Sequence, residues 1–407
     1  MITENRIYLT PDKVFLPLTD KTSKIAVPQV EIGDKVLVGQ VVAHKYNGKQ
    51  QTPVIATVSG EVTGFEQRLD RFNKIVDHIV IENDKLNQSI DLTKLDGDVA
   101  PALIRERLQA CGIHQVTVDG IYTDITFERP LKHILINAVY INEPFVSTDY
   151  DFIKQNAEAI ADGIDLLKVA AHAEKATLIV DKYMDYDTLE ALGKATVDKG
   201  IDVAEINTKK IKGWDYHIAK KLVGEVLSID LIDNQILYTS TVAAKMVYDA
   251  VREGKPATNR HLAITGDAFL INAMYDVKIG TPFTEIVDDL GGYHDETEEL
   301  NCHIGSFLSG EQVDNDSFTI TASIDNINVS GFREEVEDVC IKCGECNDIC
   351  PAGILPQNIM DAELRAVNSR IVELNTDRCV ECGLCSYVCP SKINVLEWVR
   401  RAKRRVG

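Results

Sequence analysis

The sequence predicts a multidomain α/β chain with small β domains, and three observations carry that expectation. The first is length: 407 residues leave room for roughly two to four cores at about 150 residues per domain. The second is a change of period along the chain. Residues 25–65 are short β-branched runs broken by turn residues, whereas from about residue 98 helix-like and strand-like periods alternate. The third is cysteine placement, since eight of the ten cysteines lie between Cys340 and Cys389.

The early runs IAVPQVEIGDKVLVGQVVAHK and PVIATVSGEVTGF are punctuated by Gly33-Asp34, Gly39, Asn47-Gly48 and Gly60. Such spacing predicts a small all-β sandwich over residues 1–95, similar to the biotinyl/lipoyl type of barrel-sandwich hybrid. Lys49 lies near a hairpin tip where domains of that type can carry a prosthetic group. Its surroundings, NGKQQT, lack the attachment motif, so Lys49 is read as an ordinary exposed lysine.

Over residues 96–240, DVAPALIRERLQACG reads as a helix and residues 131–136 as an apolar strand. A long helix follows, with Ile153, Ala157, Ile160, Ile164 and Leu167 on one side. The alternation continues through ATLIVD, YDTLEALGKATVDKG and IDVAEI, which predicts an open parallel sheet with helices on its faces. Residues 241–330 open with the helix TVAAKMVYDAVREG, ended by Gly254 and Pro256. Beyond it HLAITGDAF, TPFTEIVDDLGG and SFTITASI suggest strands around one helix, a small β-grasp-like module. The acidic stretch Asp295, Glu296, Glu298 and Glu299 is read as a solvated loop. Cys111 and Cys302 stand alone in sequence and are read as packing residues.

Forty-three basic against sixty-three acidic side chains give a formal charge of −20, which repels phosphate backbones and excludes nucleic acid as a partner. Cations concentrate at Arg400, Arg401, Lys403, Arg404 and Arg405. They are read as complementing a helix C-terminus, with docking on an acidic partner as the other use. No run approaches about 18 apolar residues and no apolar region follows Met1, so the sequence predicts neither a spanning helix nor a signal peptide. The expected location is cytoplasmic.

Residues 340–351 read CIKCGECNDICP and residues 379–390 read CVECGLCSYVCP, two C-x2-C-x2-C-x3-C-P runs. Thiolates are soft ligands suited to iron–sulfur clusters. At this spacing three cysteines wrap one cubane while the fourth reaches to the other. By that rule Cys340, Cys343, Cys346 and Cys389 hold one [4Fe–4S] cluster, and Cys379, Cys382, Cys385 and Cys350 hold the second. Zinc takes ligands in local pairs and has no use for the x3-C-P tail. Residues 331–407 thus form an α-helical ferredoxin domain. A helix over PQNIMDAELRAVNSRI, marked by Ile359, Leu364, Val367 and Ile371, separates the cassettes. A last helix carries Ile393, Leu396, Trp398 and Val399, with Trp398 read as core.

The order of VEIGDKVLVGQVVA, ATVSGEVTGFE, VYDAVREGKP, TGDAF, IGTPF, CIKCGECNDICPAGILPQ and CVECGLCSYVCPSKI resembles the C subunit family of the Rnf electron-transport complex. That family is related to the flavin subunit of complex I. The resemblance implies a Rossmann-like α/β core with an NADH and FMN site, built on a G-x-G-G-A-G-F-P-T loop and an N-G-A-E-C-E-P segment. Here the loop region runs from Gly112 to Thr123, and only Gly120 and Thr123 match. Val116, Thr117 and Val118 are stiff, and Asp119 opposes a phosphate. The second segment, Asn137 to Pro144, keeps Asn137 and Glu143-Pro144. Both retained residues are read as strand-end packing. A glycine-rich stretch of the family is missing near residues 305–310. The α/β core is therefore read as a retained scaffold whose NADH and FMN chemistry is lost.

These features predict a non-catalytic subunit relaying single electrons between redox partner proteins, peripheral to a membrane through a partner. The alternative is an NADH:acceptor oxidoreductase with a divergent FMN site, as in subunits that feed proline reductase. A third class, a scaffold with structural clusters, is the weakest, because one structural metal already suffices to fold a small domain.

Overall fold

Burial of apolar strand faces organises the chain into four sheets and a helical C-terminal segment, seen in a computed structural model. It describes residues 4–19, 23, 25–48, 50–70, 74–113, 129–139, 149–208, 215–224, 226, 231–294, 300–305, 308, 310–313, 315–331 and 337–406. Lys49, the region 114–123, Glu143 and the acidic loop 295–299 lie outside these residues, wholly or nearly so.

Two antiparallel sheets form the N-terminal unit. One orders Lys13–Pro17, Ile75–Asn83, Gly60–Leu69 and Lys35–Val36; the other orders Ile25–Pro28, Val41–Asn47 and Gln50–Ile55. Alternation places Val14 and Leu16 with Ile79 and Ile81 inside, where they meet Val36, Val42, Ala56 and Val62. The two sheets share that core, as a barrel-sandwich requires.

The second unit is a parallel sheet ordered Asp202–Ile206, Lys175–Asp181, His133–Asn137, Ile236–Ser240. Its first strand in sequence is therefore internal, and strand order reverses beside it. The strands read as near-continuous apolar runs because both faces are covered. Ile134, Ile136, Leu178 and Val180 pack under the helices Pro101–Ala110, Ala157–Ala170, Tyr186–Val197 and Thr241–Arg252. Leu135 and Ile179 face the helix Asp215–Val223. Each such side chain is worth about 1.5–3 kcal/mol when fully buried. The expected long helix is two: Tyr150–Gln155 ends at Asn156, and Ala157–Ala170 starts anew. All five of its apolar markers are buried nonetheless. Thr241–Arg252 packs against Ala157–Ala170.

The third unit is a six-stranded mixed sheet ordered Glu4–Tyr8, Ala273–Lys278, Asn259–Thr265, Asn326–Gly331, Leu300–Ile304, Glu311–Val313, with the helix Phe283–Asp289 on its core. Its edge strand comes from the N-terminus, not from the barrel that follows it. Arg6 Nη1 donates to the Asp289 carbonyl at 2.7 Å, and the Tyr8 hydroxyl donates to Glu285 at 2.9 Å. SFTITASI is not a strand. Its Phe318 and Ile320 are buried, and its backbone is laced to the 280–283 turn, with Gly280 N donating to Ile320 O at 2.7 Å. The strand lies just beyond, at Asn326–Gly331.

In the C-terminal unit Ile359, Ile371, Leu396, Val399 and Ala402 form the core. The expected helix between the cassettes is broken into Pro356–Leu364 and Asn368–Glu373, with Ala366 left-handed at φ 54° between them. That break turns Leu364 and Val367 out to solvent. No helix among the described residues is long and apolar enough to cross a membrane.

Two glycines on one helical layer test this packing. A Cβ on Gly163 would sit 1.9 Å from the Ala244 carbonyl oxygen, whereas one on Gly193 would meet nothing within 4 Å. Gly163→Ala should destabilise by about 1–3 kcal/mol. Gly193→Ala should stabilise by about 0.5–1 kcal/mol through helix propensity. Thermal melts moving in the same direction for both would contradict the close helix–helix approach.

Candidate iron–sulfur centres

The two cassettes are structural repeats offset by 39 positions, which takes Cys340 to Cys379, Cys343 to Cys382, Cys346 to Cys385 and Cys350 to Cys389. Backbone conformation repeats with them. Lys342 and Glu381, each just before the second cysteine, are left-handed at φ 57° and 55°, and Gly344 and Gly383, each just after it, at 86° and 75°. A left-handed non-glycine residue costs roughly 1–2 kcal/mol. The turn aims main-chain N–H groups inward, and the Glu381 N–H donates to Cys379 Sγ at 3.4 Å. Short helices Glu345–Asp348 and Leu384–Tyr387 follow, and each carries the third cysteine, buried.

Burial pushes the Cys382 thiol up to about 11, and Cys350 and Cys379 beside it push the same way. Cys385 and Cys379 are raised by burial too, again with Cys350 among the neighbours that add to it. Cys350, from the first cassette, is thus near enough to weigh electrostatically on three thiols of the second. In the opposite sense, residues 337–339 are tied to the turn after Cys389. Asp338 N donates to Ser391 O, Ser391 Oγ to Val339 O and Asn394 N to Glu337 Oε1, each at 3.0 Å. The strap ties the residues just before Cys340 to the turn just after Cys389.

Among the described residues, no three His, Cys, Asp or Glu side chains converge as a single ion would require. The chemistry of the set nonetheless fits a larger, soft, cationic group. Buried thiols packed together resist ionisation, and a positive core offsets that resistance. Main-chain N–H groups of Leu384, Ser386 and Gln357 bond Cys382, Cys385 and Cys346 and favour their thiolates.

The basic run clamps this unit from within. Arg400 Nε and Lys403 Nζ reach Glu381 at 3.0 and 3.1 Å, and Lys403 also donates to Cys379 O at 2.9 Å. Arg405 forks onto Glu363 at 2.8 and 2.6 Å, while Arg401 and Arg404 share Glu397 at 3.1 and 2.9 Å. All five cations thus have partners within the chain. Trp398 packs on the core with the Arg401 guanidinium 5.0 Å above its ring. The lone cysteines Cys111 and Cys302 are buried among apolar side chains, and burial lifts their thiols to about 11 and about 12.

A crevice opens where strand order reverses, between the C-terminal ends of His133–Asn137 and Ile236–Ser240, the usual ligand position in such sheets. Asn137 lines it, but its Oδ1 accepts from Val139 N at 3.1 Å. Phe152 stacks on His261 with centroids 4.5 Å apart, and His261 Nε2 lies 3.1 Å from Asp149 Oδ2. Sequence reasoning missed Asp149, Phe152 and His261. They come from two sheet units and form no local motif.

Comparison with known proteins agrees with this architecture. Residues 4–86 match the RnfC barrel sandwich hybrid domain, and residues 339–393 match the 4Fe-4S dicluster domain. The chain is 26% identical over 372 residues to the C subunit of the Na(+)-translocating ferredoxin:NAD(+) oxidoreductase complex of Acetobacterium woodii, covering 87% of this chain and 82% of that one. The C subunit of the ion-translocating oxidoreductase complex of Methanosarcina acetivorans is 23% identical, with 86% and 82% covered. Its counterpart in Haemophilus influenzae is 24% identical, with 85% of this chain but only 54% of that longer protein covered. An NAD+-reducing [NiFe]-hydrogenase chain in the H2-reduced state shares the fold at a TM-score of 0.50 and 12% identity, over 75% of this chain and 63% of that one. With both domain matches in the expected order and relatives aligned along most of its length, the chain is similar throughout to the C subunits of Rnf-type ion-translocating oxidoreductases.

Proposed function

We propose that this chain is an iron–sulfur electron-transfer subunit, relaying single electrons through two [4Fe–4S] clusters to a partner reductase or complex. The observation that carries the reading is the repetition of one turn geometry in two cysteine cassettes 39 positions apart, left-handed at Lys342 and Gly344 and again at Glu381 and Gly383. In this reading Cys340, Cys343, Cys346 and Cys389 hold one cluster, and Cys379, Cys382, Cys385 and Cys350 the other. Bound there, each cluster supplies one-electron chemistry without hydride or proton transfer. The left-handed turns, the N–H donors and the Glu381 clamp fix where the sulfurs sit.

The wider reading divides the chain into a barrel-sandwich hybrid at 1–95, a Rossmann-like core at 96–240, a β-grasp-like module at 241–330 and the ferredoxin domain at 331–407. The Rossmann-like core is a scaffold. Asn137 turns back on its own backbone, and Phe152 and His261 stack in the crevice. Partners are redox proteins, and the chain works at the cytoplasmic face of a membrane complex without entering the bilayer.

Anaerobic preparation should yield about eight iron and eight labile sulfide per chain; zinc in their place would sink the relay reading. Cys389→Ala should damage the cluster of Cys340, Cys343 and Cys346 more than that of its sequence neighbours. Spectroscopic loss confined to the second cluster would instead mean local wiring. Purified protein should carry little or no FMN and should not oxidise NADH with an artificial acceptor, while a chemical reductant still bleaches the clusters. Stoichiometric flavin or NADH-driven bleaching would establish the oxidoreductase alternative.

A further inference from the structure

The cassettes repeat in backbone but not in exposure, and the difference gives the relay a direction. At equivalent positions Cys343 is exposed and Cys382 half-buried, Gly344 half-buried and Gly383 buried, Glu345 exposed and Leu384 buried. Gly383 abuts the six-stranded unit so closely that a Cβ there would lie 1.7 Å from the Leu308 carbonyl oxygen; the same atom on Gly344 would meet nothing within 4 Å. One cassette thus faces the body of the chain and the other faces solvent.

The outward cassette has the form of a docking face. Val339 and Ile341, on either side of Cys340, are 84% and 67% exposed, which places two apolar side chains together beside a ligand cysteine. Carboxylates surround them: Glu337, Asp338, Glu345 and Asp348 are all exposed, against Lys342 and Lys392. The inward cassette has a thinner rim: Asp377 is exposed as its counterpart Asp338 is, but Glu381 is held by Arg400 and Lys403, and the counterparts of Glu345 and Asp348 are Leu384 and Tyr387. Resting on the two-cluster reading, we infer that the first cassette is the protein-facing terminus of the relay. Its occupant is a one-electron carrier protein whose own centre reaches the surface inside a basic rim. Interprotein electron transfer falls steeply with distance, so the exposed Cys343 edge is where the two centres approach. In the step itself one electron leaves the reduced cluster and reduces the acceptor's metal centre, and no proton or group moves. Charge complementarity steers the encounter, and Val339 and Ile341 exclude water once contact forms.

Mitochondrial-type cytochrome c, a basic haem protein, is a suitable probe. Holoprotein reduced with dithionite should reduce ferric cytochrome c at a bimolecular rate that falls as ionic strength rises. Reversal of the rim, Asp338→Lys with Glu345→Lys, should slow that rate about tenfold or more at low salt. Ferricyanide, a small anion that needs no docking, should oxidise the variant no more slowly than the parent. Ile341→Asp, a second variant that keeps the rim acidic, should slow cytochrome c at high salt as well as low. The control reverses two charges on the parallel-sheet unit, Glu158→Lys with Asp202→Lys. Equal slowing in rim and control pairs, or rates that rise with salt, would overturn the docking face. Iron and sulfide counted on every sample separate the failures: full clusters with equal rates refute the docking face alone, whereas absent clusters in the parent refute the relay beneath it.

Discussion

The nearness of Cys350 to the thiols of the second cassette is the constraint on which the C-terminal unit depends. A residue separated by 28 others from Cys379 must return to its side. The chain between makes that return as two short helices with a left-handed Ala366 between them. Closing the path packs Pro356–Leu364 against the terminal helix, and the Glu363–Arg405 fork locks the two together where Glu363 is buried. A bidentate pair with one partially exposed arm contributes more than a loose surface pair. The same terminal helix holds Glu381, whose backbone N–H reaches Cys379. Ligand geometry and helix packing are one problem here.

That problem was legible in the sequence to the extent that it was local. Cysteine spacing announces itself, since the ligands of a cubane come from fixed offsets, and the left-handed glycines follow from the turns those offsets need. The parallel sheet was legible for a similar reason: Ile134 to Ile136 and Leu178 to Val180 are apolar on both faces, which only a covered strand tolerates. Long-range choices were not legible. SFTITASI has strand composition, yet its backbone bonds the 280–283 turn, and composition cannot say which partner wins. The helix stops at Asn156 and Ala366 lie inside runs whose apolar period continues across the break. The basic run was ambiguous because its acceptors, Glu363, Glu381 and Glu397, are scattered along the chain.

The crevice of the parallel sheet keeps the geometry of a ligand position while side chains fill part of it. Strand order still reverses beside His133–Asn137, and Asn137 still stands at the strand end. Two bulky rings and the His261–Asp149 hydrogen bond occupy the ground in front of it, joining the parallel sheet to the six-stranded one. A position that a doubly wound sheet offers to a ligand has here become a joint between units.

The edge strand Glu4–Tyr8 pairs in parallel with Ala273–Lys278, although the barrel that follows it is built wholly from nearby residues. In a chain made from its N-terminus, that strand emerges before the barrel and waits for a partner more than 260 positions later. At about 5–20 residues per second the wait is roughly 15–50 s. For all that time the barrel beside it is free to close, while the strand stays an unpaired edge with Ile7 on display. Its charged pair, Glu4 and Arg6, sits where a growing chain has most need of something that discourages premature pairing.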